Sequence, residues 1–152
     1  MNGFQVEKDK VLKELASINF MVLATSKNDL VTARNMSIIS TNCKIYFQTG
    51  TLMDKYDQIK NNANIALCTN NIQIQGIARD IGPWEKNQDL LELYKKKHNN
   101  SYELYGNMKT QTVIEITIKN IKKWDYKDGK PYIYYIDFNN ETFENKEYDL
   151  SK

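Results

Sequence analysis

Short apolar runs separated by two- or three-residue polar turns limit most strongly how this chain can fold. The turn segments are Lys27-Asn28-Asp29, Thr41-Asn42, Asn70-Asn71 and Asp128-Gly129. Turns this short connect antiparallel strands, because a parallel connection needs a crossover of about a dozen residues or more. The pattern therefore predicts an antiparallel sheet in which neighbouring strands are joined as hairpins.

The apolar periodicity divides the chain into strands and a few helices. Strands are predicted over residues 19–26, 30–40, 44–49, 63–69, 72–81, 111–119, 121–126 and 132–138, and helices over 6–17, 51–62 and 86–97. Because the helices lie only between groups of strands, we predict a mainly β fold, an antiparallel β-barrel with covering helices. We expect a single domain over residues 1–140 and a mobile polar tail over 141–152.

Charge and composition exclude several classes of protein. Lys and Arg together number 21 against 19 Asp and Glu, and 41% of the residues are hydrophobic. This balance fits a folded chain and gives no strong field for a nucleic acid or an anionic membrane. The early apolar run from Phe20 to Ala24 is far shorter than a membrane span. Without a secretory signal, and with Cys43 and Cys68 far apart, we expect a cytoplasmic protein.

The supply of catalytic side chains is small. The chain has one histidine, His98, which follows three lysines at the end of a predicted helix, and we interpret it as a helix-end cation. A single histidine predicts neither a zinc site nor a serine or cysteine triad. The glycine-rich phosphate loops are also missing from the sequence. If the chain is an enzyme, we expect a bound cofactor to carry the chemistry, and we assign no catalytic residue.

An anion site is suggested by the region around Arg34. Only Arg34 and Arg79 are arginines among the 21 cationic residues, and arginine pairs well with phosphate. Thr49 ends a predicted strand, and Lys55 lies in the first turn of the helix that follows, where backbone N–H groups favour an anion. The alternative interpretation is that Arg34 faces solvent and that Lys55 is one of the many surface lysines.

Five segments, taken in order and spacing, are similar to a known family. They are FMVLATS (20–26), VTARNM (31–36), KIYFQTG (44–50), KYDQIKNNANIAL (55–67) and IQGIA (74–78). The chain resembles the pyridoxamine 5′-phosphate oxidase-like flavin-binding split barrels, most of all the small general-stress-protein and nitroimidazole-reductase types. The resemblance is strong over residues 20–80 and looser over 113–138.

The resemblance implies a six-stranded antiparallel split barrel that forms a homodimer with FMN at the subunit interface. Lys55 would hold the phosphate and Arg34 would face the ribityl-phosphate side of the flavin. Gln75 and Trp124 would reach the flavin from the partner subunit. The cofactor-binding set that it implies is Arg34, Asn35, Met36, Ser37, Gln48, Thr49, Lys55, Gln58, Gln75 and Trp124. No metal site is implied.

The implied function is that of a small flavin oxidoreductase with an unknown substrate and a small electron donor or acceptor such as NAD(P)H. The family's oxidases have a serine and an arginine where this chain has Met53 and Asp54, and their C-terminal Arg/His motif has no counterpart here. Two alternatives stay open. One is a non-catalytic flavin or haem carrier or sensor. The other is a nucleic-acid-binding barrel that uses the lysines near Trp124, although the charge balance favours no nucleic acid and no membrane partner.

Overall fold

The computed structural model describes residues 3–152, which form three α-helices and nine strands. In chain order these are α1 (Gly3–Ala16), β1 (Phe20–Lys27), β2 (Leu30–Ser37), β3 (Ile39–Thr41), β4 (Lys44–Gly50), α2 (Asp54–Asn61), β5 (Asn64–Thr69), β6 (Ile72–Asp80), α3 (Gln88–Tyr105), β7 (Gln111–Lys127), β8 (Lys130–Asp137) and β9 (Thr142–Glu147). A short 3₁₀ turn over Trp84–Lys86 precedes α3.

All nine strands pair antiparallel in one sheet. Seven of them follow the order β2-β1-β5-β6-β7-β4-β3, and β8 and β9 extend the sheet from β7. Strand β7 has 17 residues, and its first half pairs with β4 while its second half pairs with β8. A strand of this length that changes partner along its course lets the sheet curve around a core. The result is the split-barrel arrangement expected from the sequence.

A register shift between Gln75 and Gly76 interrupts the pairing of β6 with β7. A Cβ atom at Gly76 would lie 2.7 Å from Cγ2 of Ile116 and 2.8 Å from the carbonyl oxygen of Thr117. Only glycine lets the two strands approach this closely, because it has no side chain. This bulge bends the sheet at its centre.

Two hydrophobic clusters fill the molecule. The larger one lies inside the curved sheet, where α1 contributes the buried Val11 and Leu15 and α2 contributes Ile59. The smaller one lies under α3 and is built around Trp84 and Tyr94. Each helix therefore buries one apolar stripe against the sheet and leaves its polar face exposed.

The mainly β, antiparallel fold class predicted from the sequence is confirmed, with nine strands in place of six. Positive φ angles occur at each of the four predicted turns, for example 48° at Asn70 and 76° at Gly129. The predicted strand over 30–40 is two strands, and the two predicted over 111–126 are one. None of the helices within residues 3–152 is long and apolar enough to cross a membrane.

The segment predicted to be a mobile tail contains regular structure. Strand β9 pairs with β8 from Thr142 to Glu147. Its burial pattern shows one partly buried position, Phe143, among exposed ones, and the ring of Phe143 stacks on Tyr134. A single aromatic anchor was too weak a signal to predict a strand from a polar sequence. The assignment of residues 1–140 to one domain stays a prediction.

Candidate functional site

A cleft of about 270 Å³ opens where β2, β4 and the start of α2 face α3. Six of the ten residues that the resemblance implied line this cleft: Asn35, Met36, Ser37, Gln48, Thr49 and Lys55. The strands β2 and β4 bring their ends together here, so residues 35–37 and 48–49 share one opening. The structure therefore brings together most of the predicted cofactor site.

Arg34 lies beside the cleft on β2, and within residues 3–152 all of its hydrogen-bond acceptors are neutral. Its guanidinium donates to the Leu23 carbonyl at 3.2 Å, to Thr25 Oγ1 at 2.9 Å and to Thr32 Oγ1. A longer bond of 3.4 Å reaches Oε1 of Gln58. Burial lowers the pKa of Arg34, and the negative charge of Asp54 opposes that shift. The guanidinium is thus fixed in place, and no carboxylate in the described part of the chain forms a direct ion pair with it.

Gln58 fixes the surroundings of Arg34. Its side chain is buried on α2, and Oε1 also accepts hydrogen bonds from Thr25 at 2.5 Å and from Thr32 at 2.8 Å. These contacts join α2 to both β1 and β2. Gln58, which the resemblance placed in the cofactor site, therefore contacts the groups that hold Arg34 and does not line the cleft.

Lys55 lies in the first turn of α2, as the sequence predicted. Its Nζ lies 3.1 Å from the Met53 sulfur, a weak acceptor, and the helix begins without a side-chain cap. Burial is the main cause that lowers the pKa of Lys55, and the positive charge of Arg34 lowers it further, while Asp54 opposes both. Among the residues that the structure describes, neither Lys55 nor Arg34 forms a salt bridge. Two neighbouring cations at the start of a helix make this end of the cleft suited to an anion, while the same first turn also carries the acidic Asp54 and Asp57.

Gln48 bridges β4 to the elements that follow β6. Its Oε1 accepts a hydrogen bond from the indole N–H of Trp84 at 2.9 Å, and its Nε2 donates to the Ser101 carbonyl at 3.1 Å. Thr49 is buried next to it, and its hydroxyl donates to the Gly50 carbonyl at 3.4 Å. Both residues line the cleft, but the amide of Gln48 is already engaged with protein groups.

The wall opposite β2 was not predicted. It consists of Tyr94, Ser101, Tyr105 and Met108, with Met53 at the rim. The Ser101 hydroxyl lies 3.5 Å from that of Ser37 across the cleft. Burial raises the pKa of Tyr94 to about 12, and hydrogen bonds from Ser101, Gln48 and Ser37 oppose that shift. The predicted helix over 86–97 stopped short because polar residues 99–101 look like a helix end, so the residues beyond it were missed.

His98 is buried, and its interpretation as a helix-end cation was wrong. It has non-helical angles (φ −136°, ψ 47°) inside α3, so the helix breaks there. Its Nε2–H donates to the Ile38 carbonyl at 2.9 Å, and its ring packs on Phe20 and Tyr94. Burial is the main cause that lowers the pKa of His98. The hydrogen bond to Ile38 opposes this shift, and the positive charge of Lys97 adds a smaller lowering. The imidazole therefore ties the break in α3 to Ile38, the residue that directly follows β2 and its cleft residues.

Gln75 and Trp124 do not line the cleft in the single chain. Gln75 is exposed in a separate depression of about 330 Å³ that also contains Val31. The ring of Trp124 packs on Tyr148, and its backbone N–H donates to Asn71. Their role across a subunit interface stays a prediction. Within residues 3–152, no group of three or more histidine, cysteine or acidic side chains could hold a metal ion.

Comparison with known proteins gives one family and several similar structures. A sequence model of the family described as pyridoxamine 5′-phosphate oxidase matches residues 7–125. General stress protein 26 from Bacillus anthracis has a TM-score of 0.64 at 19% identity over 92% of this chain and 98% of that one. No curated protein sequence matches the chain significantly.

Two further structures share the fold. An FMN-binding protein related to pyridoxamine 5′-phosphate oxidase from Nostoc punctiforme has a TM-score of 0.61 at 12% identity, over 98% of each chain. A NimC/NimA family protein from Clostridium acetobutylicum has a TM-score of 0.57 at 14% identity, over 92% of each chain. At sequence identities of 12–19%, these similarities show a shared fold alone.

Proposed function

The chain belongs to the pyridoxamine 5′-phosphate oxidase family, and we propose that its cleft binds FMN. The phosphate would lie at Arg34 and Lys55, and the flavin ring would lie along the wall that α3 forms. The Nostoc punctiforme protein of the same fold is described as FMN-binding, which supports a flavin over other cofactors.

The observation that carries this proposal is the pair of cations at one end of the cleft. Arg34 and Lys55 are both partly buried, both have a lowered pKa, and neither has a carboxylate at salt-bridge distance within the described residues. Burying like charges together costs free energy unless an anion joins them. A phosphate monoester would supply that anion and accept hydrogen bonds from both side chains and from the start of α2.

The rest of the cleft suits a flat ring. Its volume of about 270 Å³ is close to the lower end of ligand pockets, ~300 Å³. Met36, Tyr105 and Met108 give apolar contacts for ring faces, whereas Asn35 and Ser37 give polar contacts for ring edges. A ring held here and a phosphate held at Lys55 together describe a mononucleotide of the FMN type.

When bound, the flavin would supply electron transfer. The residues of this chain would anchor the phosphate and shield one face of the ring from water. We infer a small flavin oxidoreductase with an electron donor such as NAD(P)H. The other interpretation is a carrier that binds flavin without turnover, which would use the same residues.

We also propose that a second copy of the chain packs along the edge strand β2. Strand β2 lies at one end of the sheet, and Leu30 and Val31 on it are 72% and 69% exposed. Exposed apolar side chains on an edge strand favour pairing with another chain. Val31 lies in the same depression as Gln75, so such a contact would bring Gln75 to the partner's site.

Light scattering tests the dimer. The expected mass is about twice the chain mass of 17.8 kDa at micromolar protein. Trp124→Ala should loosen both association and FMN binding, whereas Lys60→Ala on the exposed end of α2 should change neither. A monomer that binds FMN tightly and in a one-to-one ratio would contradict the shared site.

The visible spectrum of the purified protein, with and without added FMN, tests the cofactor. We expect flavin absorption bands that stay with the protein through gel filtration and that Lys55→Met weakens while Lys60→Met does not. Reduction of the bound flavin by NAD(P)H would distinguish an oxidoreductase from a carrier. Salt-dependent binding of single-stranded nucleic acid without any flavin band would favour the nucleic-acid alternative.

A further inference from the structure

Three of the four methionines within residues 3–152 line the cleft, and they differ in how far solvent reaches them. Met36 and Met108 are partly buried, whereas Met53 at the rim is 37% exposed. The fourth, Met21, is buried in the core. Peroxides convert methionine to its sulfoxide where they can reach the sulfur, so the exposed fractions favour Met53 as the residue that a peroxide in solution oxidises first.

The sulfur of Met53 lies against two side chains of the proposed phosphate site. Nζ of Lys55 is 3.1 Å from it, and Oγ1 of Thr49 is 3.6 Å from it. A thioether is a weak acceptor, so this contact leaves the ammonium group of Lys55 with most of its hydrogen-bonding capacity for a ligand. The acceptor strength of this one sulfur therefore decides how readily Lys55 binds an anion.

Met53 is also the residue that directly precedes α2. Its backbone is extended (φ −85°, ψ 150°), and its side chain makes no capping hydrogen bond to the helix. Serine, threonine, aspartate and asparagine are preferred at this position, because their side-chain oxygen accepts a hydrogen bond from the first turn. The unoxidised side chain of Met53 thus carries no oxygen that would compete with a phosphate at the start of α2.

We propose that Met53 is an oxidation site that controls phosphate binding in the cleft, with hydrogen peroxide as the oxidant. The sulfur lone pair attacks one peroxide oxygen, so that an S–O bond forms as the O–O bond breaks. The hydroxide that leaves takes the proton of the transferred oxygen and becomes water, and the sulfur has given two electrons to the peroxide. The sulfoxide oxygen, which is partly negative, then accepts a hydrogen bond from Lys55 and repels the phosphate. This control rests on the proposed FMN site.

Peptide mass spectrometry after mild peroxide treatment of the full chain locates the modification. We expect the sulfoxide of Met53 to form several times faster than those of Met36 and Met108. FMN affinity should fall about tenfold after treatment, the scale of one charge-assisted hydrogen bond, while riboflavin affinity should stay within about twofold. Preferential oxidation of Met36 or Met108, or an equal loss of affinity for both ligands, would overturn the proposal.

The thiols are the other groups that peroxide oxidises, and Cys68 is exposed. Dithiothreitol reverses cysteine sulfenic acids and disulfides, whereas a methionine sulfoxide needs its reductases, one for each epimer. We expect the two reductases together to restore FMN affinity and dithiothreitol alone to leave it low. Full recovery with dithiothreitol alone would assign the effect to a cysteine and overturn the proposal.

Met53→Leu removes the sulfur and keeps an apolar side chain, and Met108→Leu in the α3 wall is the matched control. After peroxide, Met53→Leu should keep the FMN affinity that it had before treatment, whereas Met108→Leu should lose about tenfold, as the wild type does. A tenfold loss in Met53→Leu, or an unchanged affinity in wild type that carries oxidised Met53, would overturn this proposal alone. An untreated wild type that binds no FMN would overturn the proposed function with it.

Discussion

Lys55 and the α3 wall line the same cleft, with Arg34 beside it, but the chain builds the pair of cations and the α3 wall in different ways. Arg34 and Lys55 are 21 positions apart on elements joined by short turns, and Gln58 joins those elements by hydrogen bonds. The α3 wall depends on contacts between distant segments, such as Ser37 with Ser101 and Ile38 with His98. The positions of the two cations can therefore be predicted from local sequence patterns. The α3 wall depends on which distant segments meet when the chain folds.

His98→Ala should have the largest effect on stability, because it removes the tie between the α3 break and the strands. The variant loses a buried ring that packs on Phe20 and Tyr94 and leaves the Ile38 carbonyl unpaired. We expect the free energy of unfolding to fall by about 3 kcal/mol, as for other buried aromatic residues. Urea unfolding measures it, with Asn99→Ala as an exposed neighbour. A loss below about 0.5 kcal/mol would mean that His98 is not an anchor.

The barrel and the cations could be predicted because their signals are local. The turn at Asn70-Asn71 and the alternation along β5 and β6 are visible in a few residues. His98 could not be interpreted correctly, because the lysines beside it suggest a solvated helix end. Its ring instead packs on Phe20, which lies 78 positions earlier in the chain. Lys97 also looks like a solvated lysine in the sequence. In the structure its ammonium group donates a hydrogen bond to the Ala16 carbonyl at the end of α1, a contact between distant segments.

Removing either cation should weaken FMN binding while the fold persists. We expect Arg34→Ala and Lys55→Ala each to cost about 1.5–3 kcal/mol of binding free energy, the range for charge-assisted hydrogen bonds. Only Arg34→Ala should also lower stability, by about 1 kcal/mol, because Arg34 bonds Thr25 and the Leu23 carbonyl. Fluorescence titration and urea unfolding give the two values. Unchanged FMN affinity in both variants would contradict an anion site at Arg34 and Lys55.

The lowered pKa of His98 predicts a pH dependence of stability. Because the folded-state pKa lies below the ordinary value of 6.5, the unfolded chain binds more protons between the two values. Stability should therefore be complete above about pH 6.5 and fall as the pH drops toward the folded-state pKa. His98 is the one histidine, so His98→Gln should flatten the urea midpoint between pH 7.5 and pH 5. An identical fall in wild type and variant would assign the effect to other groups.

The smallest expected signal is the oxidation of pyridoxamine 5′-phosphate by this protein. We expect no useful oxidation of this compound, because the chain has no arginine after Arg79 and no histidine apart from the buried His98. The cleft therefore lacks the cations that would hold a second phosphate once FMN occupies Arg34 and Lys55. An oxygen-consumption assay is direct. Turnover at the usual enzyme scale, about 1–10³ s⁻¹, would show that another region binds the substrate.

The central claim is that the cation pair recognises a phosphate, and a titration of the apo-protein with FMN and with riboflavin tests it most directly. The two ligands share the flavin ring and differ in the phosphate. The account predicts that FMN binds at least about tenfold more tightly than riboflavin, since two charge-assisted hydrogen bonds depend on the phosphate. Equal affinity for FMN and riboflavin would contradict it.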